Sequence, residues 1–237
     1  MSNLWKTLET LKNHQWIELS HELSNESPYW QGMPKGVLEL NKTVIDFSEM
    51  NLRIQTFKFP GQFGTHIDYP GHFIQNARLA KDFKISDTIL PLVVIDLSEK
   101  VKENNDYEIS IEDILKFEEK YGKIPENSFV AFRSDWSKRW PDLKALENAD
   151  ENGNAHTPGW PIPTLEFLFD NRNIAGVGHE TFDTDAAVIC AKNGDLAGER
   201  YILGRDKFQV EVLNNLDKLP PIGAIIFIAA PRISDAN

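Results

Sequence analysis

The segment Gln62-Phe63-Gly64-Thr65-His66-Ile67-Asp68-Tyr69-Pro70-Gly71-His72-Phe73 places two histidines and an aspartate within seven positions. It is too rich in Gly and Pro for a helix interior. In extended backbone, residues two apart point to the same side, so His66 and Asp68 offer an imidazole and a carboxylate to one point. Both groups bind divalent transition ions near neutral pH. Gly64 removes bulk beside that point, and Pro70 stiffens the turn that would carry His72 back toward it. An ion with an unligated histidine nearby is equipment for activating water. Any one of the 6 histidines could be a surface or core residue. The spacing H-x-D-x-P-x-H behind Gly-Thr is what points to a site, and it requires an extended turn lining a cleft.

The elements that must hold this turn read as alternating strands and helices. Trp5 to His14 carries apolar residues at helical spacing. Strand-like runs follow at Trp16–Leu19, Thr43–Phe47, Arg53–Phe59 and Leu92–Leu97. Ser110 precedes an apolar-periodic stretch from Ile111 to Tyr121, and Gly122 lies just beyond, which predicts a capped helix with a glycine stop. Ser128–Arg133 reads as a buried strand, Pro163–Phe169 as a helix, Ile174–Val177 as a strand and Ala224–Ala229 as the last strand. The alternation predicts a mixed α/β fold rather than a bundle or a sandwich. Pro141 to Pro161, carrying His156 and Trp160, is the one long linker: a lid over the cleft, an arm to a neighbouring subunit, or a solvated insertion. His156 is not expected to be a ligand.

Composition bounds the rest. The 237 residues suffice for one domain, at most two, with a substantial core. A formal charge of −11 argues against nucleic acid and anionic membranes as partners. Cys190 is the single cysteine, which excludes internal disulfides and suits a reducing compartment. Its neighbours, Val188-Ile189-Cys190-Ala191, read as apolar packing rather than a nucleophile's setting. Met1-Ser2-Asn3-Leu4-Trp5-Lys6 has no leader character. The longest apolar run, Ile222 to Ala230, falls far short of the roughly 20 residues that span a bilayer. A cytoplasmic location is expected.

The motif resembles the core of the cyclase-type metal hydrolases, which include bacterial kynurenine formamidase and isatin hydrolase. Ser27-Pro28-Tyr29-Trp30 is similar to that family's substrate-side segment. Gly178-His179-Glu180-Thr181-Phe182-Asp183-Thr184-Asp185 resembles its glycine-to-aspartate turn, and Gln209 to Pro220 its C-terminal signature. The resemblance implies a compact single-domain swivelling β/β/α fold over residues 1–237, with the metal in a cleft beside a barrel-like mixed sheet. It also implies a homodimer or homotetramer, and a further short strand beyond Ala230-Pro231-Arg232. Two departures stand out: Gln62 and Glu199 occupy positions where kynurenine formamidases carry histidine. The pattern is closer to the isatin-hydrolase-like branch, which implies His66, Asp68 and Gln209 as ligands and His72 as the base, with Gln62 and Glu199 as further candidate ligands. Glu211 lies two residues beyond Gln209. In a strand the two share a face; in a helix they diverge, leaving Glu211 behind the ligands or as a proton acceptor. An oxygen-rich set with one imidazole favours manganese, with zinc second. Trp30, Phe63 and Phe73 are the candidate substrate-stacking residues. Asp183 and Asp185 read as turn or cap residues.

These residues together predict hydrolysis of an amide or cyclic amide (lactam- or lactone-like) bond in a small, aromatic substrate. A metal-dependent lyase or isomerase on the same site is one alternative, and a silent metal- or small-molecule-binding protein the other.

Overall fold

The computed structural model describes residues 3–237. Met1 and Ser2, the start of the segment read for a leader, lie outside the described residues. In chain order the helices and strands are α1 (Leu4–Lys12), β1 (Glu39–Ile45), α2 (Phe47–Met50), β2 (Ile54–Lys58), β3 (His66–Asp68), β4 (Ile89–Asp96), α3 (Ser98–Glu103), α4 (Ile111–Tyr121), β5 (Phe129–Arg133), α5 (Leu143–Glu147), α6 (Ile162–Arg172), β6 (Gly176–His179), α7 (Ala187–Asn193), α8 (Ala197–Gly204), β7 (Phe208–Glu211) and β8 (Ala224–Phe227).

Six strands form one mixed sheet in the order β3-β7-β6-β5-β4-β8, antiparallel at its two edges and parallel through β7, β6, β5 and β4. Parallel neighbours need long crossovers, and α4, α6 and the pair α7–α8 lie in those connections. The central strands, Ile89–Asp96 and Phe129–Arg133, are nearly continuous apolar runs because both their faces are covered. The register assigns each face. One row across five strands reads Val93, Val130, Val177, Gln209, Asp68. Its valines belong to a core packed against helical residues Ile114, Leu165, Leu168 and Ile202. The opposite face buries Leu92, Val94, Phe129, Ala131, Phe208 and Val210 in a second core. Burying one such aliphatic side chain stabilises by about 1.5–3 kcal/mol, so a one-residue slip of any strand is strongly disfavoured.

Helix α4 begins as its sequence predicts. The Ser110 hydroxyl accepts from the Asp113 N–H, and the Asp113 carboxylate accepts from the Ser110 N–H. Other expectations shift or fail. Residues 16–19 form no strand; the Glu18 and Leu19 carbonyls accept from the Asn215 side chain and the Asn214 N–H, and Trp16 packs against Phe227. The strand expected at 43–47 runs instead from Glu39 to Ile45, and it stops there because Asp46 caps a helical turn that takes Phe47. The strand expected at 174–177 is displaced to Gly176–His179. Helices α7 and α8 were not legible, since Gly and polar residues break their periodicity. Cys190 is only partly buried, in a helix without buried residues, and burial pushes its thiol up to about 12.

The 141–161 segment is docked rather than free. It contains α5, Trp160 is fully buried, and the Trp160 N–H donates to the Thr184 carbonyl at 2.8 Å. Its tip at 151–154 stays exposed. His156 bonds Asp106 at 2.8 Å and has no part in the metal-type clusters among the described residues.

Candidate metal centre

At the β3–β7 edge the valine rows give way to polar side chains. His66 stands opposite Glu211 and Asp68 opposite Gln209. Both partners of each pair point to the helix-covered face, so four functional side chains converge. Of the two alternatives left open for Gln209 and Glu211, the strand is the one present, as β7.

Local backbone sets the orientation of each group. Gly64 has φ +63, a left-handed conformation that glycine adopts without strain, and its carbonyl takes the His66 Nδ1–H at 2.9 Å. That bond directs Nε2 inward, 3.5 Å from Asp68 Oδ1 and 3.4 Å from Glu211 Oε2. The Thr65 hydroxyl donates to the Val212 carbonyl at 2.6 Å and accepts the His21 N–H at 2.9 Å. Val212 is a β-branched residue at φ +55, backbone strain that stands directly after Glu211. A 3-10 turn at Pro70–His72 follows β3 and returns His72, whose Nε2 lies 4.0 Å from Asp68 Oδ1 and 3.8 Å from Glu199 Oε1.

Two overlapping groups have donor atoms within 4.8 Å of one another: His66, Asp68 and Glu211, and Asp68, His72 and Glu199. Gln209 bridges the carboxylates, its Nε2 donating to Asp68 Oδ2 at 3.2 Å and Glu211 Oε1 at 2.9 Å, while its Oε1 accepts from the Thr184 hydroxyl. A half-turn of this amide exchanges oxygen and nitrogen at equal volume, and the Thr184 hydroxyl can then accept instead of donate. Gln62 Nε2 reaches Asp68 Oδ1 at 3.4 Å.

The electrostatics call for a cation. Burial works against ionised Asp68, but His66 and His72 beside it, with the Gln209 amide, hold its carboxyl down to about 2. Burial opposes the charge on His66 too, and Asp68 and the Gly64 carbonyl outweigh it, raising the imidazole. Burial, then Asp68, Asp183 and Asp185, push Glu199 up to about 9. Burial and Glu199 raise Glu211 well above the carboxylate range, and Asp183 rises to about 6 by burial beside Asp185 and Asp68. Two buried carboxyls that resist ionisation, Glu199 and Glu211, with Asp68 between two imidazoles, make a donor set that a divalent ion fits.

Other expected residues divide. Glu199 does join the cluster. Asp185 takes the predicted capping role, accepting from the N–H groups of Gly198 and Glu199 in α8. Asp183 keeps the expected turn position, in the bend between β6 and α7, and belongs to neither donor group among the described residues. Phe63 is buried against Tyr29 and Phe59 and lines a cavity of about 930 Å³ that reaches His66 but none of Asp68, His72, Glu199, Gln209 and Glu211. Phe73 lies 5.1 Å from the His72 ring with the Arg200 guanidinium over it. Trp30 is 62% exposed, its indole laid over Gly32, and does not line that cavity. His179, buried beside Glu211, is a residue that the motif spacing does not single out; its period-two spacing from Val177 is the one local signal.

The Cyclase family model matches residues 17–186. The chain belongs to the cyclase family. Among its relatives, isatin hydrolase of Roseibium aggregatum is 34% identical over 172 residues, covering 71% of this chain and 64% of that protein. Kynurenine formamidase of Bacillus cereus is 28% identical over 122 residues, covering 49% of this chain and 57% of that protein. The matched segments thus span under two thirds of these curated relatives. Among solved structures, isatin hydrolase A from Ralstonia solanacearum superposes with a TM-score of 0.88 at 29% identity, over 100% of this chain and 94% of that one. The cyclase fold, with its curled mixed sheet, is therefore that of this chain. Among the described residues, no helix is long and apolar enough to cross a membrane.

Proposed function

We propose that this cyclase-family protein is a divalent-metal-dependent hydrolase of amide bonds, acting on a cyclic amide fused to a small aromatic ring, of the isatin kind. The observation that carries this reading is the convergence of His66, Asp68 and Glu211 on one point with His72 at its rim. His66 Nε2, Asp68 and the β7 pair Gln209 and Glu211 would hold the ion, and one imidazole among oxygens favours manganese over zinc. When bound, the ion supplies positive charge that polarises a carbonyl and acidifies water.

The chain's own groups do the rest. Burial lowers the His72 pKa despite Asp68, leaving a neutral imidazole at pH 7 that can accept a proton at Nε2. His72 takes one proton from the attacking water and returns it to the leaving nitrogen. Addition of water across the C–N bond gives an amine and a carboxylic acid that ionises to a carboxylate, so one proton per turnover passes to solvent. Phe63, backed by Tyr29 and Phe59, forms an apolar wall for the ring. The replaced positions argue against a silent protein: Gln62 and Glu199 both retain polar groups aimed at Asp68 and His72. We also propose self-association as a dimer or tetramer. Val44, Phe47, Met50, Ile54 and Phe57 are all exposed on or beside the β1–β2 hairpin, which pairs only with itself.

The test is proton release by the manganese-loaded protein on isatin, lactams, lactones and N-formyl arylamines. Release that stops with EDTA, and falls about 10²–10⁴-fold in His72→Ala at unchanged metal content, is expected. Full turnover by a metal-loaded His72→Ala would remove the assigned base.

A further inference from the structure

We infer that His179 is a positioning residue of this centre: its imidazole holds the Glu211 carboxylate so that one oxygen faces His66 and the ion. The inference rests on the metal-dependent reading above and assigns a residue that neither the motif spacing nor the ligand set contains.

Placement comes first. The register of the parallel strands aligns Ile95 with Phe132 and Phe132 with His179, so His179 is where an apolar cross-sheet row turns polar. On the neighbouring strand β7, Val177 pairs with Gln209, and one period-two step along both strands brings His179 beside Glu211. The side chain is 2% exposed, and neither ring nitrogen makes a well-aligned hydrogen bond. An aliphatic residue would fill this position without leaving a buried polar ring unsatisfied. The imidazole therefore needs a reason to be there, and its geometry supplies one: Nε2 lies 3.4 Å from Glu211 Oε1.

Glu211 has two distinct ends. Oε2 faces His66 Nε2 at 3.4 Å, inside the cluster of donor atoms. Oε1 faces back into the sheet, where Gln209 Nε2 and His179 Nε2 approach it. Turning the Gln209 amide to offer its oxygen to an ion removes one of these donors. His179 Nε2–H then remains to hold Oε1. His179 is not a member of either group of mutually close donors among the described residues, so it stands behind the carboxylate and not among the ligands. A hydrogen bond to the rear oxygen fixes the carboxylate rotation and so the direction of the front oxygen.

The experiment is a manganese titration by calorimetry on the full-length protein and on His179→Leu, His179→Gln, Glu211→Gln and the double variant His179→Leu/Glu211→Gln, with far-UV circular dichroism as the check on folding. His179→Leu is expected to weaken manganese binding about 10–100-fold. His179→Gln, which keeps a donor near the Nε2 position, is expected to recover most of that loss. In the Glu211→Gln background His179→Leu is expected to add no further loss. Parent-like affinity in a folded His179→Leu overturns the inference, and so does an equal loss with and without Glu211, which would mark a packing effect. Should His179→Leu fail to fold, His179→Gln decides: near-parent affinity supports the inference, and a loss as large as that of Glu211→Gln overturns it. A parent protein that binds no divalent ion sinks the metal reading itself, an outcome distinct from unmoved variants of a protein that does bind.

Discussion

Replacing Gly159 by alanine should destabilise the protein and loosen its metal cleft, although Gly159 touches no candidate ligand. A Cβ on Gly159 would stand 2.1 Å from the Ala186 nitrogen, 2.4 Å from the Asp185 carbonyl carbon and 2.7 Å from the Thr184 oxygen. All three atoms are backbone, so no flexible side-chain end can yield. The turn they belong to is fixed from several sides. Thr184 O accepts from Trp160 N–H, the Ala187 N–H bonds the Thr157 hydroxyl, and the Asp185 carboxylate caps α8. The loop must therefore retreat by about 1 Å, an overpacking displacement that costs about 1–3 kcal/mol. Weakening one or two of those hydrogen bonds adds about 1 kcal/mol. At about 2–4 °C per kcal/mol for a protein of this size, a sum near 2–4 kcal/mol lowers Tm by about 5–15 °C. Because the Thr184 hydroxyl bonds Gln209 Oε1 and Asp185 supports the helix bearing Glu199, manganese affinity should fall with it. Gly204→Ala is the matched control: its Cβ meets only Ile74 Cδ1 at 3.8 Å, and alanine in a helix is worth about 0.5–1 kcal/mol over glycine. Scanning calorimetry of both variants, with and without manganese, measures this. A Gly159→Ala protein that melts within about a degree of the parent would refute the reasoning that this loop is packed against the cleft.

Acid stability should depend on His21. Burial, stacked on Trp140 at 4.3 Å, lowers its pKa to about 4 from an ordinary 6.5. The unfolded chain then takes up a proton below pH 6.5 that the folded one refuses until pH 4, so stability is full above 6.5 and falls as pH drops through that window. The loss approaches about 3 kcal/mol, and urea denaturation at pH 7 and pH 4.5 should show it shrinking in His21→Phe; equal acid losses in both proteins count against it. Glu199 has the opposite sign. With its carboxyl raised to about 9, the metal-free fold binds a proton that the unfolded chain releases near 4.5, so stability falls as pH rises between those values. EDTA-treated Glu199→Gln should lose this slope in denaturation series from pH 5 to 9, and a slope retained in full assigns it elsewhere. Charged residues in the hairpin, as in Ile54→Glu/Phe57→Glu, should convert an oligomer to a monomer by mass photometry without loss of fold; an unchanged mass places the interface on another surface.

How far the residues speak for the fold depends on burial. Ile89–Asp96 and Phe129–Arg133 are covered on both faces, so their composition is dictated and they read as strands without further context. Ser110 to Gly122 carries its own start and stop in local hydrogen bonds. The β3 and β7 strands carry neither signal. Each has three or four residues, and the polar groups that make them functional erase the apolar alternation that would reveal them. Their pairing joins residues more than 140 positions apart, for which local propensity holds no information.

The same division governs the site. His66, Asp68 and His72 were legible because one tight turn brings them together, and short-range geometry is what spacing encodes. Gln209 and Glu211 needed a family pattern, since their convergence is a property of sheet register. Trp30 came by the same carry-over, and its indole lies over Gly32, away from the cavity that Phe63 lines. His179 falls inside the segment from Gly178 to Asp185 that carries the family resemblance, but neither route gives it a role. Its immediate neighbours form an ordinary buried strand end, and only the row Ile95–Phe132–His179 exposes an imidazole where an apolar side chain belongs. Buried polar residues that break an apolar row are therefore the places where a sheet's packing and its chemistry compete, and at the β6–β7 edge chemistry has prevailed.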